Sequence, residues 1–224
     1  MPPPAHPLPA LASILPLLEQ RGIALPAADQ ARIAALVDLL ERWNRRINLT
    51  GARTRAQILV RHVLDSLMVE TLPWPAQARE AVDVGSGAGL PGLLLALRHP
   101  GCRVTSVETV AKKIAFQTEA ARTLGLANFV PLRRDVFSLA RAEGRHAFHL
   151  MVVRAFAQLS VLLPLANDLL CPSGQLWAFK GAQAPQEEAT LTSELLGPFA
   201  TVRRYAYRFD GLDWGGVILV YEKR

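Results

Sequence analysis

The sequence predicts an α/β fold: a mostly parallel β-sheet flanked by helices, closed by an antiparallel edge hairpin and preceded by a small N-terminal helical cap. Three observations carry that expectation. From residue 81 onward, short β-type runs alternate with helical segments, the rhythm of right-handed βαβ units. The last two β-type runs, 202–209 and 216–221, are joined only by Asp210-Gly-Leu-Asp-Trp-Gly215. A parallel crossover needs about a dozen residues or more, so this pair is antiparallel. A glycine-rich loop directly follows the first strand and opens a helix, a placement that brings backbone N–H groups up to a ligand.

Each element follows in order. Over 27–47, Ile33, Leu36, Leu40, Trp43 and Ile47 recur at spacings of three and four, giving one apolar helical stripe. A second helix fits 54–71, with Ile58, Leu59, Val63, Leu67 and Met68 inward and Thr54 as N-cap. Residues 72–77, with two prolines, read as a linker, which divides the chain into a helical appendage, 1–72, and a sheet domain, 73–224. Strands are expected over 81–84, 104–107, 128–132, 150–153 and 175–179, with helices after the glycine loop and over 111–124.

Composition narrows the class. The chain has 224 residues, half of them hydrophobic, which excludes a disordered chain. Two cysteines, Cys102 and Cys171, exclude a disulfide scaffold and agree with a reducing compartment. The apolar N-terminus has no positive residue before Arg21 and is interrupted by prolines, unlike an export signal. The apolar stretch 156–171 contains Pro164 and Asp168 and is too short to span a bilayer. A soluble, cytoplasmic, monomeric protein without membrane association is expected. The formal net charge is +6, and Lys112, Lys113, Lys180 and Lys223 are the only lysines. The remaining positive charge is arginine, whose planar fork suits phosphate.

The loop reads Asp83-Val84-Gly85-Ser86-Gly87-Ala88-Gly89-Leu90-Pro91-Gly92. A dinucleotide fingerprint needs Gly or Ala three places after Gly87, where Leu90 stands, so pyrophosphate binding is disfavoured. The acidic residues suit a nucleoside without phosphates. Glu108 ends the next strand, about 20 residues past the glycines, where a carboxylate can accept from ribose hydroxyls. Asp135 follows the third strand and can accept from an adenine amino group; Asp83 can hold an ammonium group. Three carboxylates without a phosphate clamp suit a cationic nucleoside such as S-adenosylmethionine.

Asp-x-Gly-x-Gly-x-Gly, followed by Glu108 at the next strand end, resembles the class I S-adenosylmethionine-dependent methyltransferases, which implies their Rossmann-like sheet. Four segments are similar, more specifically, to the bacterial 16S ribosomal RNA guanine-N7 methyltransferases, the glucose-inhibited division protein B family. They are Trp43-Asn44 through Asn48-Leu49-Thr50, Arg61-His62-Val63-Leu64-Asp65-Ser66, Asp83 to Gly92, and Arg154-Ala155-Phe156 with Lys180-Gly181. The resemblance runs from about residue 36 to 181 and implies a cofactor site of Gly85, Leu90, Glu108, Asp135 with Arg134 and Val136, and Arg154. Asp83, Gly87 and Gly89 complete the loop's share. The family pattern after the third strand is Arg-small-Glu, whereas Arg133-Arg134-Asp135-Val136 allows two registers for the adenine contact. The implied partner is 16S ribosomal RNA, naked or within the 30S subunit, and the implied product is S-adenosylhomocysteine.

The chemistry expected of the residues agrees. No Asn/Asp-Pro-Pro-aromatic motif for exocyclic amines occurs, and neither cysteine has the setting of a nucleophile. Guanine N7 already offers a lone pair, so no general base is expected. Arg154 and Phe156 are the positioning candidates: the guanidinium for the cofactor carboxylate or guanine O6, the ring for stacking. His62, Asp65 and Ser66 share one helix face and read either as a substrate-side polar cluster or as a tie between helix and sheet. No metal is expected, since His146 and His149 lack partners at ligand spacing. Arg42, Arg45, Arg46, Arg53, Arg55 and Arg61, with Arg133, Arg134, Arg203, Arg204 and Arg208, suggest a phosphate-tracking rim. Arg45, Arg46, Asn48, His62, Asp65 and Lys180 are its substrate-side candidates. An NAD(P)-binding oxidoreductase, a methyltransferase of small molecules or proteins, and a non-catalytic RNA-binding module stand as alternatives.

Overall fold

The computed structural model describes residues 10–47, 49–141 and 146–224; Asn48 lies outside the described residues. Seven strands form one sheet: β1 (Glu80–Val84), β2 (Arg103–Glu108), β3 (Phe129–Arg133), β4 (Phe148–Arg154), β5 (Leu170–Lys180), β6 (Phe199–Arg208) and β7 (Gly215–Lys223). Their order across the sheet is β3-β2-β1-β4-β5-β7-β6. The first five are mutually parallel, and β7 pairs antiparallel with both β5 and β6. The edge hairpin expected from its short connection is therefore present.

Helices cover both faces: α1 (Leu15–Glu19), α2 (Ala27–Ile47), α3 (Arg55–Ile58), α4 (Asp65–Leu67), α5 (Gly92–Arg98), α6 (Ala111–Leu124), α7 (Val136–Arg141), α8 (Leu159–Leu169), α9 (Ala184–Ala189) and α10 (Ser193–Leu196). The strands are apolar on both sides because both sides are covered. In β4, Leu150 and Val152 enter one core while Met151 and Val153 enter the other, the period of two that a pleated strand imposes. The first core is roofed by α2, α5 and α6; the second by α7 and α8.

The helical cap shares its core with the sheet. Ile33, Leu36 and Leu40 of α2 are fully buried in the same cluster as Leu95, Phe116 and Trp177. Polar contacts fix the docking: Arg32 Nε donates to the Leu124 carbonyl at 2.8 Å, and the Trp43 indole donates to Glu119 at 2.9 Å. The 72–77 stretch, expected as a linker, is packed: Leu72 is buried and Trp74 stacks on His99 at 3.5 Å.

The helix expected over 54–71 begins as foreseen, with Thr54 Oγ1 accepting from the Gln57 amide at 3.2 Å. It does not continue as one regular helix. After α3 the chain winds as a π-helix over Leu59–Leu64, returns to α4, and ends in a 3₁₀ turn, Met68–Thr71. A π-turn is rare and frequently found at functional sites; this one carries His62 and leads into Asp65. Among the described residues, no helix is long and apolar enough to cross a membrane.

Because cap and sheet share a core, truncating a cap residue destabilises the whole fold. Ile33 is completely buried, and Ile33→Ala is expected to lower unfolding free energy by about 2–5 kcal/mol. In urea titrations, circular dichroism and tryptophan fluorescence midpoints should shift together; a separate early transition would show an independently unfolding cap.

Candidate active site

At the carboxyl ends of the parallel strands, the chain runs outward in opposite directions from β1 and β4, the place where open α/β sheets bind ligands. A cavity of about 900 Å³ opens there. Its walls are the glycine loop (Gly85 to Ala88, with Leu90), the 154–158 connection, the end of β5, residues 49–52 with Arg61, His62 and Asp65 from the cap, and Tyr207 and Trp214 from the edge hairpin.

Gly85 has φ +62°, and a Cβ there would run into the Phe156 ring. Glycine is thus required both for the left-handed backbone and for the close approach. The loop is held from below by a buried network. The Ser86 and Ser106 hydroxyls lie 2.6 Å apart, Ser106 Oγ is 2.8 Å from Gln117 Oε1, and Gln117 Nε2 donates to Ser86 Oγ and the Gly87 carbonyl, each at 2.9 Å.

Glu108 meets the loop from β2. Its Oε1 accepts from the amides of Thr109 (2.9 Å) and Val110 (3.0 Å), and its Oε2 from the Gly87 amide (3.1 Å) and Lys113 Nζ (3.2 Å). Burial alone would raise its pKa, but the Val110 amide, Lys113 and the Thr109 amide together outweigh that and hold it below the usual carboxylate value. Asp83 behaves oppositely. It does not line the cavity but lies beneath the loop, 1% exposed, with Oδ2 accepting from the Gly92 amide at 2.8 Å and Oδ1 buried without a partner. Burial pushes its pKa up to about 7, with Glu108 adding to the effect and the Gly92 amide and Arg154 opposing it. The expected ammonium contact is thereby replaced by support of the loop.

The other expected cofactor residues divide similarly. Gly89, with φ +75°, packs on Gln117 and Leu93. The Arg134 amide donates to the Glu108 carbonyl at 3.2 Å. Asp135 is exposed and caps α7 by accepting from the Ser138 amide at 2.9 Å, while Val136 is buried in the second core. None of these four lines the cavity.

Arg154 does line it, and it is braced. Nη1 donates to the Arg61 carbonyl (2.6 Å) and Asp65 Oδ2 (3.3 Å), and Nη2 to His62 Nδ1 (3.2 Å). Asp65 Oδ1 accepts from the Tyr207 hydroxyl (2.6 Å) and the Trp214 indole (2.9 Å). Burial, with the charges of Arg154 and Arg61, lowers the His62 pKa to about 4, so the imidazole is neutral at physiological pH. Burial and Asp65 push the Tyr207 phenol well above its ordinary value. The helix-to-sheet tie and the cavity-side cluster, read as alternatives, are one and the same group. Ser66 is fully buried away from it, and its hydroxyl has no partner.

On the RNA side the expectations separate. Arg45 and Arg46 are exposed at the end of α2. Arg55 is instead held by Asp38 (2.7 Å) and Glu41 (2.9 Å), and Arg204 by Glu188 (2.8 Å). Lys180, expected to face RNA, is only 8% exposed and bonds Glu187 at 2.6 Å and the Ala157 carbonyl at 2.7 Å. It braces the 154–158 connection, because a buried ammonium needs partners. The sequence offered no sign of Tyr207 and Trp214, which lie 142 and 149 residues from Asp65.

The sheet order and the loop at its switch point define a class I methyltransferase fold. A predicted O-methyltransferase of solved structure from Agrobacterium tumefaciens superposes with a TM-score of 0.59 at 19% identity, covering 71% of this chain and 80% of that one. At the sequence level, the family model described as GidB, rRNA small subunit methyltransferase G, matches residues 29–201. The ribosomal RNA small subunit methyltransferase G of Aromatoleum aromaticum is 43% identical over 178 residues, 78% of this chain and 82% of that protein. The protein of the same name from an Azoarcus species is 40% identical over 170 residues, 76% of this chain and 78% of that protein. The chain belongs to this family.

Asp83 generates a pH prediction. Its folded pKa of about 7 lies above an unfolded value of about 3.9, so the folded state binds the extra proton in between. Stability from this group is full below about pH 4 and is lost as pH rises towards about 7. Asp83→Asn keeps an acceptor for the Gly92 amide and cannot ionise. Its thermal midpoint relative to the parent should rise across that interval and level off above it; a flat difference would contradict a buried acid.

Proposed function

We propose that the chain transfers a methyl group from S-adenosylmethionine to N7 of a guanine in 16S ribosomal RNA, naked or within the 30S subunit, acting as a cytoplasmic monomer. The observation that carries the reading is that the glycine loop and the braced Arg154–His62–Asp65 cluster open into one cavity. The loop suits the cofactor. Gly85 lets the loop approach the Phe156 ring more closely than a Cβ would allow, and Glu108, held ionised against the Gly87 amide, suits ribose hydroxyls. Val110 and Phe137, 44% and 38% exposed, follow Glu108 and Val136 closely and offer apolar surface to an adenine ring. Arg154 is suited to the cofactor carboxylate through its remaining N–H groups. When bound, the sulfonium supplies the methyl group; no metal is called for.

The protein residues do the positioning. Among the described lining residues the carboxylates are Asp65 and Glu187, one committed to Arg154, Tyr207 and Trp214, the other to Lys180 and the Leu159 amide. Neither is free to remove a proton, which suits an acceptor that carries none. Rate enhancement then comes from alignment, worth up to about 7–11 kcal/mol in well-oriented systems. Phe156, 39% exposed beside Gly85 and lining the cavity, suits stacking on the base. The cap, read as the substrate-side part of a two-part chain, supplies the wall at 49–52 and the exposed Arg45 and Arg46.

The test is radiolabelled methyl transfer to 16S RNA, naked and in 30S subunits, followed by cleavage at N7-methylguanosine. Label at N7 supports the reading; label in protein, or none, overturns it. Glu108→Ala should weaken S-adenosylhomocysteine binding about 10–100-fold by calorimetry, through removal of a charged hydrogen-bond acceptor. Arg45→Ala with Arg46→Ala should leave that binding unchanged, weaken RNA binding, and reduce the slope of its salt dependence by about one for each phosphate no longer neutralised. Equal weakening of both affinities would contradict the division between loop and cap.

A further inference from the structure

His62 stands half-buried in the cavity wall on the π-wound turn Leu59–Leu64. Its Nδ1 lies 3.2 Å from Arg154 Nη2, and a guanidinium has only donors. The contact therefore assigns the ring: Nδ1 carries the lone pair and Nε2 carries the proton. Among the described residues Nε2 has no protein partner. Arg154 cannot swing away easily, because the Arg61 carbonyl and Asp65 hold its other nitrogen, and Tyr207 and Trp214 hold Asp65.

The geometry points to His62 as the residue that reads position 6 of the target purine: its Nε2–H donates to guanine O6, and Arg154 locks the tautomer that makes this reading. The inference rests on the guanine-N7 function proposed above. The purine edge that carries N7 also carries position 6, an acceptor (O6) in guanine and a donor (the N6 amino group) in adenine. A fixed N–H accepts guanine and opposes adenine donor to donor; the other tautomer would invert the choice. A single ring N–H also leaves N7 bare. An arginine fork on O6 and N7, the usual guanine contact, would cover the lone pair that must attack. Burial, with the neighbouring charges of Arg154 and Arg61, keeps a second proton off Nδ1, so the lock persists across the working range of pH.

The experiment combines enzyme variants with base analogues. The guanosine that the wild type modifies is mapped, and 16S RNA is assembled by ligation with either guanosine or 2,6-diaminopurine riboside there. The analogue keeps N7 and the 2-amino group and places an amine at position 6. RNA is presented naked or in 30S subunits, whichever the wild type modifies. Wild type should prefer guanosine by about 10⁴-fold in kcat/KM, the scale on which a hydrogen-bonding site rejects a mismatched analogue. His62→Ala should be about 10–100-fold slower on guanosine, and its preference should shrink to below about tenfold as the two effects couple. His62→Asn keeps an acceptor for Arg154 but cannot reach the base, and should show the same collapse. Calorimetric binding of S-adenosylhomocysteine should be unchanged in both variants. Full discrimination by either variant that binds the cofactor product, or none in the wild type, overturns the inference. Failure of the wild type to methylate any guanine N7 would instead remove the function on which it rests.

Discussion

The carboxylate of Asp65, 5% exposed, joins three parts of the chain that are far apart in sequence: the cap, the end of β4 and the edge hairpin. It comes from the helical cap; Arg154 reaches it from the end of β4, Tyr207 from β6, and Trp214 from the hairpin connection. A buried charge is tolerated only when paired and fully hydrogen-bonded, and removing one partner of such a pair typically costs about 3–5 kcal/mol. The cap is thus pinned to the sheet at the mouth of the cavity, not only along the apolar seam of α2. His62 and Arg154 owe their orientation to the same group, so the wall facing the glycine loop is set before any ligand arrives.

The two acids of the loop show how environment divides like residues. Glu108 receives three backbone amides and a lysine and stays ionised; Asp83, nine residues before the glycine whose amide it accepts, has one donor and is pushed towards its acid form. Desolvation acts on both, and the number of donors decides the outcome. The ionised acid lies against the glycine loop, where it accepts from the Gly87 amide, and like Asp83 it does not itself line the cavity. The near-neutral one supports the turn from below, where an uncompensated charge would be costly.

The cap and the hairpin solve a related problem. A parallel sheet must be covered on both faces, and the described helices α5 and α6 share the cover of one face with α2. The segments that adjoin this cover, residues 49–52 after α2, Arg61 and His62 of the π-turn, and Tyr207 and Trp214 of the hairpin, line the cavity. Core completion and site construction meet at the π-turn, which buries Leu59, Val63 and Leu64 in the core and carries Arg61 and His62 into the cavity wall.

Local pattern was enough for the sheet, its antiparallel edge, the boundaries of α2 and α6, the Thr54 cap and the position of the glycine loop, because each is decided by neighbours within a few residues. The motif residues Gly85, Glu108, Arg154, His62 and Asp65 were legible for the same reason, as short words with characteristic order. What those words do was not. Whether Asp83 faces a ligand or a backbone amide, whether Lys180 and Arg55 are open or paired, and which atom of His62 bears the proton all depend on partners brought close only by folding. Tyr207 and Trp214 carried no signal at all. Periodicity and turn chemistry are local, so fold and family could be read along the chain. Charge state, tautomer and pairing belong to the folded molecule, since desolvation and hydrogen bonds across more than a hundred residues of chain set them.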